Sequence, residues 1–269
     1  MRSLTAFGCV GETLIGTLDL PSIPAEAAVQ PGLAPSREHR NDTTTGLLIV
    51  SGGNEIRIGA HRGMALLAAR VAAAGYPVFR FDRRGVGDST GANGGFETSA
   101  PDIAAAAAHF RALQPQLTRV VGFGNCDAAT ALALFGRDAG IDDLVLANPW
   151  TIEPTDDLPP PAAIRARYAA KLKAPREWWR LLSGGVNFGK LARGLRKAGA
   201  APSSALADRL RAALPAAATI LTARGDNTAI AFRAALPQVA VTECDTASHS
   251  FAGPENADWL FERLIAKLC

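Results

Sequence analysis

With 269 residues, 48% of them hydrophobic, the chain is long enough to bury a full core as one globular domain, or as one domain carrying an insertion. Its net charge of +3 is too small to argue for a nucleic-acid partner, and no apolar run approaches the ~18 residues of a membrane span. Four widely separated cysteines (Cys9, Cys126, Cys244, Cys269) form no disulfide framework or metal-ligand spacing, and residues 1–5 lead into a patterned strand instead of a secretion signal, so a reducing cytoplasm and no cofactor are expected.

Residues 5–10 and 13–18 alternate as two short strands about Gly11-Glu12, a hairpin. Residues 21–45, rich in Pro, Ala and charge, have no period and read as an irregular surface loop holding His39. Gly46-Leu47-Leu48-Ile49-Val50 is the continuous apolar run of a strand buried on both faces. It delivers the chain to Ser51-Gly52-Gly53-Asn54, where paired glycines let backbone N–H groups turn toward a ligand. Gly53 and Asn54 are therefore candidate oxyanion donors, with a plain turn as the alternative.

Residues 61–74 carry Met64, Leu67, Ala68 and Val71 at helical spacing, with Gly75 as the stop. His61 opens that helix and is a candidate for the substrate pocket or for a plain helix start. A strand at 77–81 precedes a glycine-punctuated loop, 82–89, which Asp82 and Asp88 are expected to stabilise. Residues 97–113 form an alanine-rich helix containing His109, read as packed or solvated.

The next stretch, Arg119-Val120-Val121-Gly122-Phe123-Gly124-Asn125-Cys126-Asp127-Ala128-Ala129, organises the chain. A β-branched run climbs into two glycines, turns over one reactive residue and leaves through small alanines, the layout of a nucleophile elbow. So tight a turn strains the backbone of its apex, here Cys126, and needs small residues two before and two after it, here Gly124 and Ala128. The helix that follows offers the N–H of Asp127 to an oxyanion, and a helix N-terminus favours thiolates. A buried structural cysteine in an ordinary strand-helix turn is the competing reading.

Residues 128–135 fit a helix and Leu144-Val145-Leu146-Ala147 a buried strand that ends at Asn148-Pro149-Trp150. Strands alternating with helices of this length imply a mostly parallel sheet. The alternation breaks across 150–214, with Pro154, Pro159, Pro160 and Pro161, the pair Trp178-Trp179, and amphipathic pieces rich in Arg and Lys. This reads as an inserted helical cap between core segments 1–149 and 215–269. Twelve basic and five acidic residues give 150–214 a local charge of +7, which fits either an anionic substrate or a solvated helical face. Trp150, Trp178 and Trp179 are candidates for the substrate pocket, and the paired tryptophans fit equally the packing of cap on core.

The pattern resumes with a strand at 218–223 followed by Arg224-Gly225-Asp226-Asn227, a helix at 229–235, a strand at 239–243, a loop holding His249, and a closing amphipathic helix at 255–268. Cys126, Asp226 and His249 thus follow one another in the order nucleophile, acid, base, each just past the C-terminal end of a strand, where open α/β sheets bind ligands. His249 is needed to make the attacking thiolate, and Asp226 to fix the imidazole tautomer and stabilise the imidazolium. Asp245 is the rival acid but lies only four residues before His249; Cys244 and Cys269 have neither an elbow nor a nearby base.

The chain resembles the α/β-hydrolase superfamily over nearly its whole length, and more narrowly the exosortase-A-associated hydrolases of the first type. The motifs are Gly52-Gly53 with Arg57, Gly59, His61 and Arg62; Phe81-Asp82 with Arg84-Gly85 and Gly87-Asp88-Ser89; Gly124-Asn125-Cys126-Asp127; Asn148-Pro149-Trp150; and Asp226 with His249. Ala128 stands where that family more often has Gly. The resemblance implies a Cys-His-Asp site and an origin among bacterial exopolysaccharide and protein-sorting gene sets. Three outcomes stay open: hydrolysis of an ester, thioester or lactone through an acyl-Cys126, acyl transfer by the same triad, or a catalytically idle binding module. The expected partner is a small or carrier-linked acyl substrate.

Overall fold

The computed structural model describes residues 1–21, 43–152 and 205–269. Strands β1 (Arg2–Cys9) and β2 (Glu12–Asp19) pair antiparallel through a turn at Val10-Gly11, both at positive φ, one residue earlier than the sequence reading has it. β2 joins β4 (Val78–Phe81) antiparallel, and from there the sheet is parallel through β3 (Thr45–Val50), β5 (Arg119–Asn125), β6 (Asp143–Ala147), β7 (Thr219–Ala223) and β8 (Thr242–Cys244). The order β1-β2-β4-β3-β5-β6-β7-β8 sets β3 and β5 side by side at the centre. Val50 pairs with Gly124 and Asn125 with Ala147, so the loops leaving β3, β5 and β6 emerge at one end of the sheet.

Both faces are covered because the middle of each central strand is apolar on both sides, Leu47, Leu48, Ile49 and Val50 in β3 and Val120, Val121 and Phe123 in β5. Leu48 and Val50 face a core with Ile103 and Phe110 of α2 (Ala100–Leu113), Leu132 of α3 (Asp127–Phe135), Leu210 of α4 (Ala205–Ala213) and Phe232 of α5 (Asn227–Ala235). Leu47 and Ile49 face the other core, with Met64, Leu67 and Val71 of α1 (Gly63–Ala73) and Leu260 and Leu264 of α6 (Pro254–Leu268). The sequence reading grouped α4 with the insertion; Ala207 and Leu210 sit in the first core.

Several boundaries move for local reasons. α1 starts at Gly63, not 61, because His61 and Arg62 both have positive φ. α2 starts at Ala100 behind a 3-10 turn, Phe96–Thr98, with Pro101 in its first turn, where a missing N–H costs nothing. β8 falls at the far end of the expected 239–243 strand, where Thr242, Glu243 and Cys244 align with Leu221, Thr222 and Ala223. Gly75 is the αL stop behind α1 at φ 101. Most of the irregular 21–45 loop, with His39, lies outside the described residues, as do 153–204 of the expected cap with Trp178 and Trp179.

Candidate active site

Cys126 stands between β5 and α3 with φ 64 and ψ −128, a conformation that costs a non-glycine residue free energy. The steric reason is visible at Gly124: a Cβ added there would lie 2.8 to 2.9 Å from the backbone of Ala128 and Ala129. Strand and helix therefore meet backbone to backbone. Ala128, in place of a second glycine, points its methyl into the core and is fully buried. Asp127 is the first residue of α3, so its N–H has no acceptor within the helix.

His249 lies in the segment between β8 and α6. Its Nδ1 is 3.1 Å from Asp226 Oδ1, and the side chain of Cys126 is the second group that acts on the imidazole. The three residues named from chain order are thus brought together, with the imidazole between the other two. The hydrogen bond to Asp226, followed by that to Cys126, outweighs burial and pushes the His249 pKa up to about 10, so the ring is an imidazolium at neutral pH. Burial pushes Asp226 upward, but the hydrogen bond and charge of His249, with the N–H groups of Ala229 and Thr228, prevail and hold its carboxyl below the usual value. Asp226 is also the N-cap of α5, its Oδ2 accepting the Ala229 N–H at 3.0 Å.

The β3 loop closes over the elbow. A Cβ on Gly52 would come within 2.5 Å of the Asn125 carbonyl oxygen and 2.8 Å of Asp127 Oδ1, so only glycine fits. Gly53 is held from both sides: its N–H donates to Asp127 Oδ1 at 2.5 Å, and its carbonyl accepts from Nη2 of the buried Arg83. That same Nη2 lies 3.6 Å from Asp127 Oδ2. In this conformation the Gly53 N–H is engaged by a carboxylate, and it can serve an oxyanion only after Asp127 lets go. The Asn54 N–H donates to no described residue, while its side-chain Oδ1 accepts from Asn93 Nδ2 at 2.7 Å. Arg57 fastens the rest of the loop, pairing with Asp82 and, at 2.9 Å, with Asp88. Those two aspartates have the structural role expected of them.

Trp150 is strapped to the elbow, its N–H donating to the Cys126 carbonyl at 3.2 Å and its carbonyl accepting from Thr130 Oγ1 at 2.7 Å. His61 is exposed and lines, together with Ser250 and Phe251, an apolar cavity of about 630 Å³ between α1 and the start of α6. His109 is packed, stacked on Phe7 at 4.7 Å and bonded to Thr5 Oγ1 at 2.9 Å. Asp245 pairs with Arg224 at 3.2 Å, and the carboxylate on the imidazole is that of Asp226. Cys244 is buried 3.7 Å from Asn256 Oδ1, and Cys269 lies 3.2 Å from the Tyr76 hydroxyl. Sequence reasoning passed over Arg83, which looks like any loop cation, and met Asn125 and Asn148 only as letters of motifs. A polar residue ending an apolar β-run, as both asparagines do, is the signal that was available.

Comparison with known proteins agrees with this architecture. The family described as serine aminopeptidase, S33 (Hydrolase_4) matches residues 44–211. Comparison with curated proteins finds no match. Among solved structures, the Pyrococcus furiosus esterase Pf2001 is similar at 13% identity and a TM-score of 0.59, over 100% of this chain and 89% of that one. The α/β hydrolase GrgF from Penicillium sp. sh18 is similar at 15% identity and a TM-score of 0.59, over 100% and 98% of the two chains. An esterase domain from a Rhodothermus marinus protein is similar at 17% identity and a TM-score of 0.53, over 99% and 97%. At such identities these likenesses speak for the fold, whereas the family match spans more than half of the chain: it belongs to the serine aminopeptidase S33 family of α/β-hydrolase-fold hydrolases, and it carries a cysteine, Cys126, at the apex of its elbow.

Proposed function

We propose that the protein is an acyl hydrolase acting on a carboxylic ester, thioester or lactone, with Cys126 as nucleophile, His249 as acid and base, and Asp226 as the group that orients the imidazole. The observation that carries this reading is the pairing of His249 Nδ1 with Asp226 at 3.1 Å beside Cys126 at the apex of a backbone-strained elbow. The thiolate is the form that attacks, and His249 is the base placed to take the thiol proton. The sulfur adds to the acyl carbon, a C–S bond forms, and the carbonyl π pair moves to oxygen. The N–H of Asp127 and that of Asn54, or of Gly53 once released, donate to this oxyanion. His249 gives its proton to the leaving oxygen or sulfur as that bond breaks. The neutral ring then takes a proton from water, whose hydroxide adds to the thioester carbon, and C–S cleavage restores the thiolate beside the imidazolium.

The basic stretch 150–214 supports an anionic or carrier-linked substrate, and we read it as an insertion between core segments 1–149 and 215–269 whose last helix, α4, packs into the first core. The resemblance to exosortase-A-associated hydrolases supports a cytoplasmic role in exopolysaccharide or protein-sorting metabolism. The test is a panel of acyl esters, thioesters and lactones turned over by wild type and by Cys126→Ala, with intact-mass detection of the acyl-enzyme. The expected result is an acyl adduct on Cys126 and loss of turnover in the variant. Undiminished turnover by Cys126→Ala on every accepted substrate would overturn the mechanism.

A further inference from the structure

We propose that Asn125 and Asn148 act as a positioning bridge that sets the distance of the His249 imidazole from both Cys126 and Asp226; the inference rests on the triad reading above. His249 lies in a stretch, after Cys244 and before Pro254, that belongs to neither strand nor helix, so no ladder holds its main chain. Its carbonyl oxygen instead accepts two side-chain amides, from Asn125 Nδ2 at 3.1 Å and Asn148 Nδ2 at 3.0 Å. The two amides also meet each other, Asn148 Nδ2 donating to Asn125 Oδ1 at 3.0 Å. Asn148 Oδ1 accepts the Ala223 N–H at 2.8 Å.

Each end of this bridge abuts one of the three proposed reacting or orienting groups. Asn125 is the residue before Cys126, Ala223 lies three before Asp226, and the shared carbonyl is that of His249 itself. The amide orientations are fixed by chemistry: a backbone N–H can only donate to Asn148 Oδ1, and a backbone carbonyl can only accept from the two Nδ2 groups. Asn148 is fully buried and has φ 43, a left-handed region that asparagine enters more readily than other non-glycine residues. A merely apolar strand end would avoid the burial of two amides. The arrangement is explained by what it aligns: one hydrogen-bonded unit gauges three loops arriving from β5, β7 and β8.

The test needs no knowledge of the substrate. The rate of Cys126 alkylation by iodoacetamide is followed by peptide mass spectrometry, which separates it from the exposed Cys269, in Asn125→Ala and Asn148→Gly, each made in wild-type and His249→Ala backgrounds. Glycine accepts the φ of Asn148, and His249→Ala keeps the backbone carbonyl. Displacing the ring by about an ångström is expected to slow alkylation roughly tenfold to a hundredfold where His249 is present, and to add nothing where it is absent. An equal slowing in both backgrounds, or no slowing, would overturn the bridge as a positioning device. Loss of cooperative unfolding in both asparagine variants would assign the pair to folding alone and overturn it too. If His249→Ala by itself alkylates like wild type, the triad reading fails first, and the bridge falls with it.

Discussion

Asp226→Asn separates two duties that one carboxylate now carries. Oδ1 faces His249 Nδ1 at 3.1 Å while Oδ2 accepts the Ala229 N–H at 3.0 Å, and both partners are donors. Asparagine has one oxygen for two donors, so one of them is left facing an NH₂ group. If the oxygen stays on Ala229, helix α5 keeps its cap and the imidazole is driven to the tautomer with its proton on the wrong nitrogen, a change that costs on the order of 10⁴ in turnover in serine proteases. If the oxygen turns to His249, the helix loses its cap at a cost of about 1 kcal/mol. In either case the carboxylate, whose hydrogen bond is the largest cause of the raised His249 pKa and whose charge adds to it, is gone. The assay is the titration of the four histidines by two-dimensional NMR, assigned with His249→Ala, alongside the rate of Cys126 alkylation. In wild type the His249 resonance is expected to titrate near pH 10, and in Asp226→Asn to move down toward the ordinary 6.5. A wild-type midpoint at the ordinary value, or one unmoved by the substitution, would refute the assignment of Asp226 as its partner.

Gly124→Ala would place a methyl 2.8 Å from the Ala128 carbonyl carbon, closer than carbon atoms pack, so the strand and helix must part by several tenths of an ångström. The expected cost is about 1–3 kcal/mol of stability, read as a fall in Tm, with slower Cys126 alkylation from a displaced thiol; an unchanged Tm contradicts the close approach. Cys126→Ser should keep the fold and lose most turnover on any accepted acyl substrate, because a hydroxyl of far higher pKa must lose its proton to an imidazole placed for a larger sulfur atom; retained turnover speaks against thiolate attack. Because the folded-state pKa of His249 is raised, its pairing contributes stability in full below 6.5 and loses it as pH rises toward about 10. Thermal unfolding across that window should therefore show a steeper fall of Tm with pH in wild type than in His249→Ala.

The sheet, the elbow and the order of the three site residues were legible in the sequence because each is encoded locally. A buried parallel strand needs an apolar run such as Gly46-Leu47-Leu48-Ile49-Val50, and a strand-to-helix turn as tight as that at Cys126 needs Gly124 where the backbones touch. Chain order and strand ends then placed Asp226 and His249 at the same edge as Cys126. Other features depend on distances between residues far apart in the chain, which no period of 2 or 3.6 reports. Nothing around Gly53 says that its N–H meets the Asp127 carboxylate 74 positions later, or that Arg83 takes its carbonyl. Nor does the run Leu144 to Ala147 say that the asparagine behind it turns inward to hold the His249 loop, 101 residues away. His61 reads as the start of a helix, and left-handed backbone at His61 and Arg62 delays that helix to Gly63 and sets His61 in the lining of a cavity it shares with Ser250 and Phe251, the residues after His249. Composition and periodicity select which residues are buried and in what local shape; which buried donor finds which acceptor is decided only when the strands have been laid side by side, because desolvation makes every unpaired polar group costly and the fold settles on the register that pairs them.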